Sequence, residues 1–252
     1  MPAKSPSTTI TATYDLIDIE MQFLSRLMTI IESQRWDVLG NAIINNQEVF
    51  RTFARSIASS PSQHLNGMTI LHATVRYNPP PELAKILLDL VPESPTCIDI
   101  ARRTPLHVAV GMHANPSTIE LLVRAYPNAC AMLDWEGKTP LHLACDDGFN
   151  LFNEEDNDTT TTKTTDRPKH CLDTIRTLIN ACPLAAVVED QDDMTALEHA
   201  IMSNASIKVV GLLQGITCRQ SMKVRSFVKK ISEESSIVSE EPDRQLNSRS
   251  LS

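Results

Sequence analysis

The sequence predicts an all-α solenoid of stacked repeats, in which short β-hairpin fingers join successive helix pairs. Three nine-residue stretches share the core T-x-L-H: GMTILHATV at 67–75, RRTPLHVAV at 102–110 and GKTPLHLAC at 137–145. Their threonines follow one another at intervals of 35 residues: Thr69, Thr104 and Thr139. A weaker fourth copy, DMTALEHAI, stands at 193–201. A constant period of this length is typical of proteins that stack one helical unit on the next.

Further columns repeat in the same register. Aspartates stand five residues before the threonines: Asp99, Asp134 and Asp190. Prolines stand twelve residues before them: Pro92, Pro127 and Pro183. Aliphatic pairs follow at plus 17 and plus 18: Ile86-Leu87, Leu121-Leu122 and Leu212-Leu213. The third unit has its pair 22 residues late, at Leu178-Ile179, because an insertion precedes it. Agreement at several offsets argues against a chance match.

The first helix of each unit is predicted to begin directly after its threonine. In the third unit, the hydroxyl of Thr139 can accept a free backbone N–H and cap the helix. Pro140 then occupies the first helical position, where its missing N–H has no cost. The leucines of the motif, Leu106 and Leu141, are predicted to lie in the core.

The second helix and a turn complete the unit. The stretch STIELLVRAY at 117–126 has apolar residues at helical spacing, and Pro127 ends it. Asp134 and Gly137 are placed for a turn before the next threonine. Such a unit cannot bury its apolar face alone, so neighbouring units must stack.

These motifs resemble the ankyrin repeat, whose signature is T-P-L-H-x-A in a unit of about 33 residues. The resemblance covers about 61–215 and implies an ankyrin-repeat α-solenoid. It also implies a hydrogen-bond network between repeats, formed by the motif threonines and histidines: Thr69, His72, Thr104, His107, Thr139 and His142. The fourth unit departs from the pattern, since Glu198 replaces the histidine and His199 follows it. Arg102 and Asp193 replace the turn glycine in the second and fourth units.

The resemblance further implies a protein-binding module without enzymatic activity, which contacts its partner through the hairpin tips and the exposed side of the first helix. The implied contact residues flank the motifs: Trp135, Glu136, Lys138, Asp146, Asp147, Arg103, Met112, Met68, Arg76, Tyr77, Gln191, Asp192 and Met194. Trp135 has two interpretations at this point. It can anchor an interface, as tryptophans often do, or pack on an adjacent hairpin.

The chain outside the repeats divides by composition. The predicted segments are a disordered N-terminus at 1–13, a helical cap at 14–60 that could contain a degenerate repeat, a disordered insertion at 150–169, a basic helix at 216–231 and a disordered acidic, serine-rich tail at 232–252. The basic helix can cap the last repeat with its apolar face. Alternatively, it makes the protein a membrane-surface or calmodulin-regulated adaptor.

Charge and cysteine usage narrow the class of protein. With 23 basic and 31 acidic residues the formal net charge is −8, which argues against nucleic-acid binding. The six cysteines form no C-x-x-C pair, and no signal-like N-terminus or long apolar run is present. We therefore expect a cytoplasmic or nuclear monomer that binds another protein and needs no cofactor, and we place the membrane-surface alternative second.

Four residues could be imagined as zinc ligands: His142, Cys145, His170 and Cys171. His142 already has a structural role in the repeat, and the last two follow the insertion. Their spacings do not match the usual zinc motifs. The seven glycines include no phosphate-binding loop, and nothing orients a cysteine for catalysis. We expect no metal and no catalytic residue.

Overall fold

A computed structural model describes residues 21–59, 65, 67–146 and 171–238. The segments predicted to be disordered at 1–13 and 150–169, and the tail from residue 239 onward, lie outside these residues. The helices, in chain order, are α1 (21–32), α2 (Trp36–Asn45), α3 (Gln47–Ser59), α4 (Ile70–Arg76), α5 (Pro81–Leu90), α6 (Pro105–Gly111), α7 (Pro116–Ala125), α8 (Pro140–Cys145), α9 (Leu172–Ala181), α10 (Ala196–Met202) and α11 (Ile207–Val238).

The helices form two rows, which confirms the predicted all-α repeat solenoid. The short first helices α4, α6, α8 and α10 pack one on the next, and the second helices α5, α7 and α9 form a parallel row that α11 continues. The predicted core leucines, Leu106 and Leu141, are 2% and 1% exposed. Alanines in the first helices are also buried and allow the close approach of neighbours: Ala73, Ala109 and Ala144.

The motif histidines join each repeat to the next. The Nδ1 atoms of His72, His107 and His142 accept the backbone N–H of the threonine three residues earlier, at 3.1, 3.2 and 3.1 Å. Their Nε2 atoms lie on carbonyl oxygens of the following unit, those of Arg103, Met132 and Val188, at 3.0, 3.2 and 3.1 Å. A backbone N–H can only donate and a carbonyl can only accept. Each ring is therefore a neutral imidazole that carries its proton on Nε2.

The fingers are tight turns closed by aspartates. Asp99, Asp134 and Asp190 each donate their N–H to the carbonyl four residues later at 3.0 Å. Each also accepts the N–H groups two and four residues later on Oδ1, at 2.8–3.0 Å. In the described residues, Glu189 and Thr195 form the only β-bridge. The predicted hairpins are thus turns held mainly by a carboxylate.

The position two residues before the threonine has a positive φ in all four units. Gly67 and Gly137 have φ near 74°, whereas Arg102 and Asp193 adopt 60° and 57°. Arg102 and Asp193, which replace glycine in the second and fourth units, keep the left-handed backbone conformation of this turn position. They place residues with a Cβ in the left-handed region, which costs about 1–2 kcal/mol.

We expect Arg102→Gly to stabilise the protein by up to about 1 kcal/mol, because relief of the left-handed strain exceeds the entropy cost of glycine. Gly137→Ala is the matched opposite. An added Cβ there would lie 3.1 Å from the backbone nitrogen of Gln191, and φ would remain positive. Urea titrations of both variants check the pair, and a destabilising Arg102→Gly would contradict this account of the turn.

The N-terminal helices α1 and α2 are connected in the same way as the helices of a repeat. Gln34 has φ 53°, like Asn78, His113 and Asn204, which stand nine residues after the motif threonines. The N–H of Arg35 bonds to the carbonyl of Ile30 at 3.1 Å, and the equivalent bond in the second unit is 2.8 Å long. A degenerate repeat inside the cap stays a prediction. The shared geometry of the connection between α1 and α2 favours it.

Helix α3 joins the cap to the first repeat. Phe50, Ala54 and Ile57 are buried on its inner side. The rings of Phe53 and Phe23 pack edge to face with centroids 4.6 Å apart. On the outer side, Arg51 donates to the carbonyl of Leu90 at 3.2 Å. These contacts place α3 beside the first repeat, and the predicted capping role of the N-terminal helices stays a prediction.

Helix α11 differs from the prediction. The sequence suggested a separate helix at 216–231 followed by disorder from 232, but a single helix runs from Ile207 to Val238. It packs on the fourth unit as far as Gln220, which is 8% exposed. Farther along, the apolar side chains that were expected to cap the last repeat are exposed: Val224, Phe227, Val228 and Ile231. No helix in the described ranges is long and apolar enough to cross a lipid bilayer.

Candidate functional site

The fingers of units two, three and four lie side by side. The N–H of Trp135 donates to the carbonyl of Ala101 at 3.0 Å, and the N–H of Gln191 donates to the carbonyl of Glu136 at 3.0 Å. Three fingers are therefore joined through their backbones. We call the exposed residues at their ends the fingertip surface: Trp135, Glu136, Gln191 and Asp192.

Trp135 is the largest exposed side chain of this surface. Its side chain does not pack on an adjacent hairpin, since the residue is 68% exposed. Its backbone, in contrast, is held from both sides. The N–H bonds to Ala101, and the carbonyl accepts from Nε2 of Gln191 at 2.6 Å. A fixed main chain thus presents an indole to solvent.

Lys138 lies beneath the tip and connects the finger to the first helix. Its ammonium group contacts Oε2 of Glu136 at 3.1 Å and Oδ2 of Asp146 at 3.0 Å. Its side chain is only 13% exposed. Burial alone would lower the pKa of Lys138, but the hydrogen bonds to Asp146 and Glu136 raise it above its usual value. Lys138 stays charged and ties the predicted tip residues to the predicted helix residue.

A second part of this cluster was not found from the sequence. Nε2 of His199 lies 2.6 Å from Oδ2 of Asp190, and its Nδ1 lies 3.8 Å from Oδ2 of Asp146. The His199 ring also meets the ring of His142 edge to face, with centroids 5.7 Å apart. Burial opposes ionisation of Asp190, but the hydrogen bond from His199 and two backbone N–H groups lower the pKa of Asp190.

The sequence did contain a signal for this cluster. In the fourth unit, Glu198 takes over the role of the motif histidine, because its Oε2 accepts the N–H of Thr195 at 2.6 Å and the Thr195 hydroxyl at 2.8 Å. The one-place shift of the histidine releases His199 from the capping role. It turns toward the finger instead and contacts Asp190.

The other predicted contact residues are less accessible. Half-buried positions hold Arg103, Met112, Met68, Arg76, Tyr77, Met194 and Asp146, while Asp147 lies outside the described residues. Nε of Arg103 is 3.7 Å from Oδ2 of Asp134, with side chains 15% and 0% exposed. Burial raises the pKa of Asp134 despite this cation. The guanidinium group of Arg103 therefore contacts the third finger and is largely inaccessible to a partner.

Metal and nucleophile chemistry have little support in the described part of the chain. Both ring nitrogens of His142 are engaged, by Thr139 and by the carbonyl of Val188. No group of three or more His, Cys, Asp or Glu residues in the described ranges could hold a metal ion. Burial raises the pKa of Cys145 to about 12 and that of Cys130 to about 11, so both thiols stay protonated.

An apolar pocket in the described part of the chain lies away from the fingertip surface. It holds about 290 Å³ at the other end of the first helices, beside His113, Ala144 and Cys171. Its walls are mostly apolar, and it contains none of the charged side chains described above.

Comparison with known proteins agrees with the repeat geometry. Residues 71–155 match the family model described as "Ankyrin repeats (3 copies)". No curated protein matches the sequence.

Proposed function

We propose that this chain, whose residues 71–155 match ankyrin repeats, is a non-enzymatic scaffold or adaptor. Proteins of this family are generally protein–protein interaction modules. The partner is a protein that contacts the fingertip surface and the exposed side of the first helices. The observation that carries this proposal is Trp135, which is 68% exposed on a finger whose backbone is bonded to both neighbouring fingers.

This arrangement suits protein recognition for an energetic reason. Tryptophans in the centre of an interface often dominate its binding energy. Ordering a mobile loop on binding consumes part of that energy, and the bonds to Ala101 and Gln191 reduce this loss in advance.

Charged groups surround the tryptophan and would select the partner's orientation. Glu136 and Asp192 are exposed acids, and Lys138 lies just below them. A rim of mixed charge affects orientation and association rate more than affinity. We therefore expect a partner that offers an apolar cleft for the indole, with polar and basic groups at its edge.

Replacing the tryptophan tests the proposal. Trp135→Ala should weaken partner binding by about 2 kcal/mol or more, which is roughly a thirtyfold loss of affinity. Its free energy of unfolding should change by less than about 1 kcal/mol, since the side chain makes few contacts. Leu184→Ala is a matched control, because Leu184 is 55% exposed in the 3₁₀ turn after α9.

The measurement has two steps. The unaltered protein and the Leu184→Ala variant are each used for affinity purification from the native cell. Mass spectrometry then identifies candidate partners that both proteins capture. Calorimetric titration of the purified partner then gives the loss for each variant. Equal affinity for the Trp135→Ala variant and the unaltered protein would mean that the contact surface lies elsewhere.

The sequence also raised a membrane-surface or calmodulin-regulated adaptor acting through 216–231. The stretch 219–230 holds five basic residues and no acid, which favours an acidic partner. The net charge of −8 opposes approach to an anionic surface, so we place this function second.

A further inference from the structure

The second and third fingers carry an apolar patch beside the fingertip surface. Both fingers have apolar side chains directly before and after the closing aspartate. These side chains are 41–68% exposed: Ile98, Ile100, Leu133 and Trp135. The bond from the N–H of Trp135 to the carbonyl of Ala101 holds the two fingers side by side, so the four side chains lie close together. We call them the finger patch.

Acidic side chains border the finger patch. Four exposed acids stand on the third and fourth fingers: Glu136, Glu189, Asp192 and Asp193. The bases of the second and third fingers do not balance them, because the side chains of Lys138 and Arg103 are largely buried against acids. Arg102 is exposed, but it stands on the second finger, away from the fourth. The border at the third and fourth fingers is therefore acidic.

Helix α11 carries a second apolar surface, beyond the end of the solenoid. Val209 and Leu213 are fully buried against the fourth unit, and Gln220 is the last buried residue on this side of the helix. At 100° per residue, the same side then carries four apolar residues that are 45–64% exposed: Val224, Phe227, Val228 and Ile231. We call these four residues the α11 stripe.

Basic side chains flank the α11 stripe on both sides. By the same helical angle, Arg219, Lys223 and Lys230 lie on one side of it, and Arg225 and Lys229 lie on the other. All five are exposed, and residues 219–231 include no acid. Two α11 stripes would therefore repel each other through their edges. An apolar surface with an acidic border is the complement that the stripe requires.

The same chain offers such a surface at its fingers. We propose that the α11 stripe of one copy binds the finger patch of a second copy. The stripe residues are spaced i, i+3, i+4 and i+7, and four residues of one helix face form the hole that receives a protruding side chain in helix packing. Trp135 enters this hole. The basic edges of the stripe then lie along the acids of the third and fourth fingers.

The two surfaces also agree in length. Each finger contributes two arms, and backbone bonds join the second finger to the third and the third to the fourth. At about 4.8 Å between neighbouring arms, the three fingers span about 24 Å. The helical segment from Arg219 to Ile231 rises about 18 Å. One segment of α11 can therefore lie across the finger patch and reach the fourth finger.

The contact joins two different surfaces, which fixes the kind of assembly. Each bound copy keeps one unused surface of the other kind, so copies add head to tail until a ring closes. The interface is small, and the association should therefore depend on protein concentration. It departs from the monomer expected from composition. It uses the same fingers as the proposed function without depending on it, and a protein partner bound there would compete with the second copy.

Sedimentation equilibrium of the full chain tests the association. The average mass should rise above 28.0 kDa as the concentration increases, and Phe227→Asp and Trp135→Ala should each abolish the rise. Met222→Asp is the matched control for the stripe, because Met222 is also 64% exposed but lies on the opposite side of α11. Leu184→Ala serves as the control for the fingers. Both controls should keep the rise, and circular dichroism verifies that all four variants are folded.

A mixture of the two disrupted chains is the sharpest test. The Phe227→Asp chain keeps its finger patch, and the Trp135→Ala chain keeps its α11 stripe. Neither chain associates alone, but an equimolar mixture should form a pair of twice 28.0 kDa and no larger species. A symmetric dimer through two stripes or two finger patches would not be restored by mixing. A mixture that stays at 28.0 kDa would overturn the proposal.

Tryptophan fluorescence reports the position of the indole in this mixture. Emission from the Phe227→Asp chain should shift to shorter wavelength when the Trp135→Ala chain is added, because Trp135 leaves water. Trp36 lies in α2, outside both surfaces, and contributes a constant background. A mixture that pairs without a shift would mean that Trp135 does not enter the stripe, and it would overturn the proposed contact.

Charge reversal tests the edges of the interface. One chain carries Lys223→Glu and Lys230→Glu, and the other carries Glu189→Lys and Asp192→Lys. Each alone should associate about tenfold more weakly or worse, because like charges then meet across the contact. A mixture of the two should associate through the reversed pair. Failure of the mixture to associate would contradict the assigned edges.

A single mass of 28.0 kDa for the unaltered protein at all concentrations would overturn the inference. If Trp135→Ala still weakens partner binding in that case, the proposed function stands without it. If the unaltered protein stays monomeric but binds calcium-loaded calmodulin or vesicles containing phosphatidylserine, and Phe227→Asp removes that binding, the stripe serves another class of partner and the inference is wrong.

Discussion

Acidification from pH 7 to pH 5 is expected to destabilise the protein by about 3–4 kcal/mol through two buried histidines alone. Burial lowers the pKa of His72 and His107 from 6.5 to about 4, although each ring donates to a carbonyl of the next repeat. Burial also lowers the pKa of His142. These rings must stay neutral, because Nδ1 accepts a backbone N–H and has no room for a proton.

The sign follows from proton binding. Between pH 6.5 and pH 4 the unfolded chain binds more protons at these histidines than the native protein does. Their contribution to stability is therefore complete above about pH 6.5 and is lost as the pH falls toward 4. Burial also raises the pKa of Asp99 and Asp134, which works in the opposite direction as the pH falls. The His107→Gln variant described next separates the histidine contribution from that of the aspartates.

Urea titrations at pH 7, 6 and 5 measure the loss. His107→Gln should lower stability at pH 7 and also reduce the pH dependence, since one of the buried imidazoles is gone. Leu184→Ala, which removes no titratable group, should leave the pH dependence unchanged. Stability that is constant from pH 7 to pH 5 would mean that the rings accept protons in place.

Leu141→Ala should cost about 2–5 kcal/mol of unfolding free energy. Leu141 is 1% exposed in α8, which packs between α6 and α10. Because the site is enclosed by helices, the substitution leaves a cavity that neighbouring side chains fill only in part. Partner binding at native temperature should change little as long as the protein stays folded. This is the reverse of the result expected for Trp135→Ala, six residues away.

Leu197→Ala is the matched control for the core substitution. Leu197 occupies the same column of the fourth unit but is only partly buried, because α10 is the last of the first helices. Its truncation should cost less than that of Leu141, and chemical denaturation of both variants checks the order. If Trp135→Ala melts as early as Leu141→Ala, the tryptophan contributes to the core and the contact surface is misplaced.

The sequence alone determined the repeats, because the constraints on each unit are local. A capping threonine with a leucine two residues later occurs in all four units, and a proline stands at the first helical position of the second and third units. For that reason the burial of Leu106 and Leu141 could be expected from the sequence, and the resemblance to ankyrin repeats implied the contacts of the motif histidines with Thr104 and Thr139.

The exposure of Trp135 and the cluster at His199 were decided by the tertiary structure. Whether an indole packs on a neighbouring finger depends on how three fingers are spaced, and no local rule supplies that spacing. His199 lies in α10, Asp190 lies in the fourth finger, and Asp146 follows α8 of the third unit. The cluster therefore forms only when the third and fourth units are stacked.

The course of α11 shows the same division. The sequence indicated an apolar side of this helix and a change of charge along it, because both depend only on the order of residues within one segment. Only the packed structure shows that the fourth unit ends near Gln220, that the helix does not stop there, and that the stripe lies exposed beyond it. Local sequence determines which side of a helix is apolar, whereas the length of its neighbours determines how much of that side is covered.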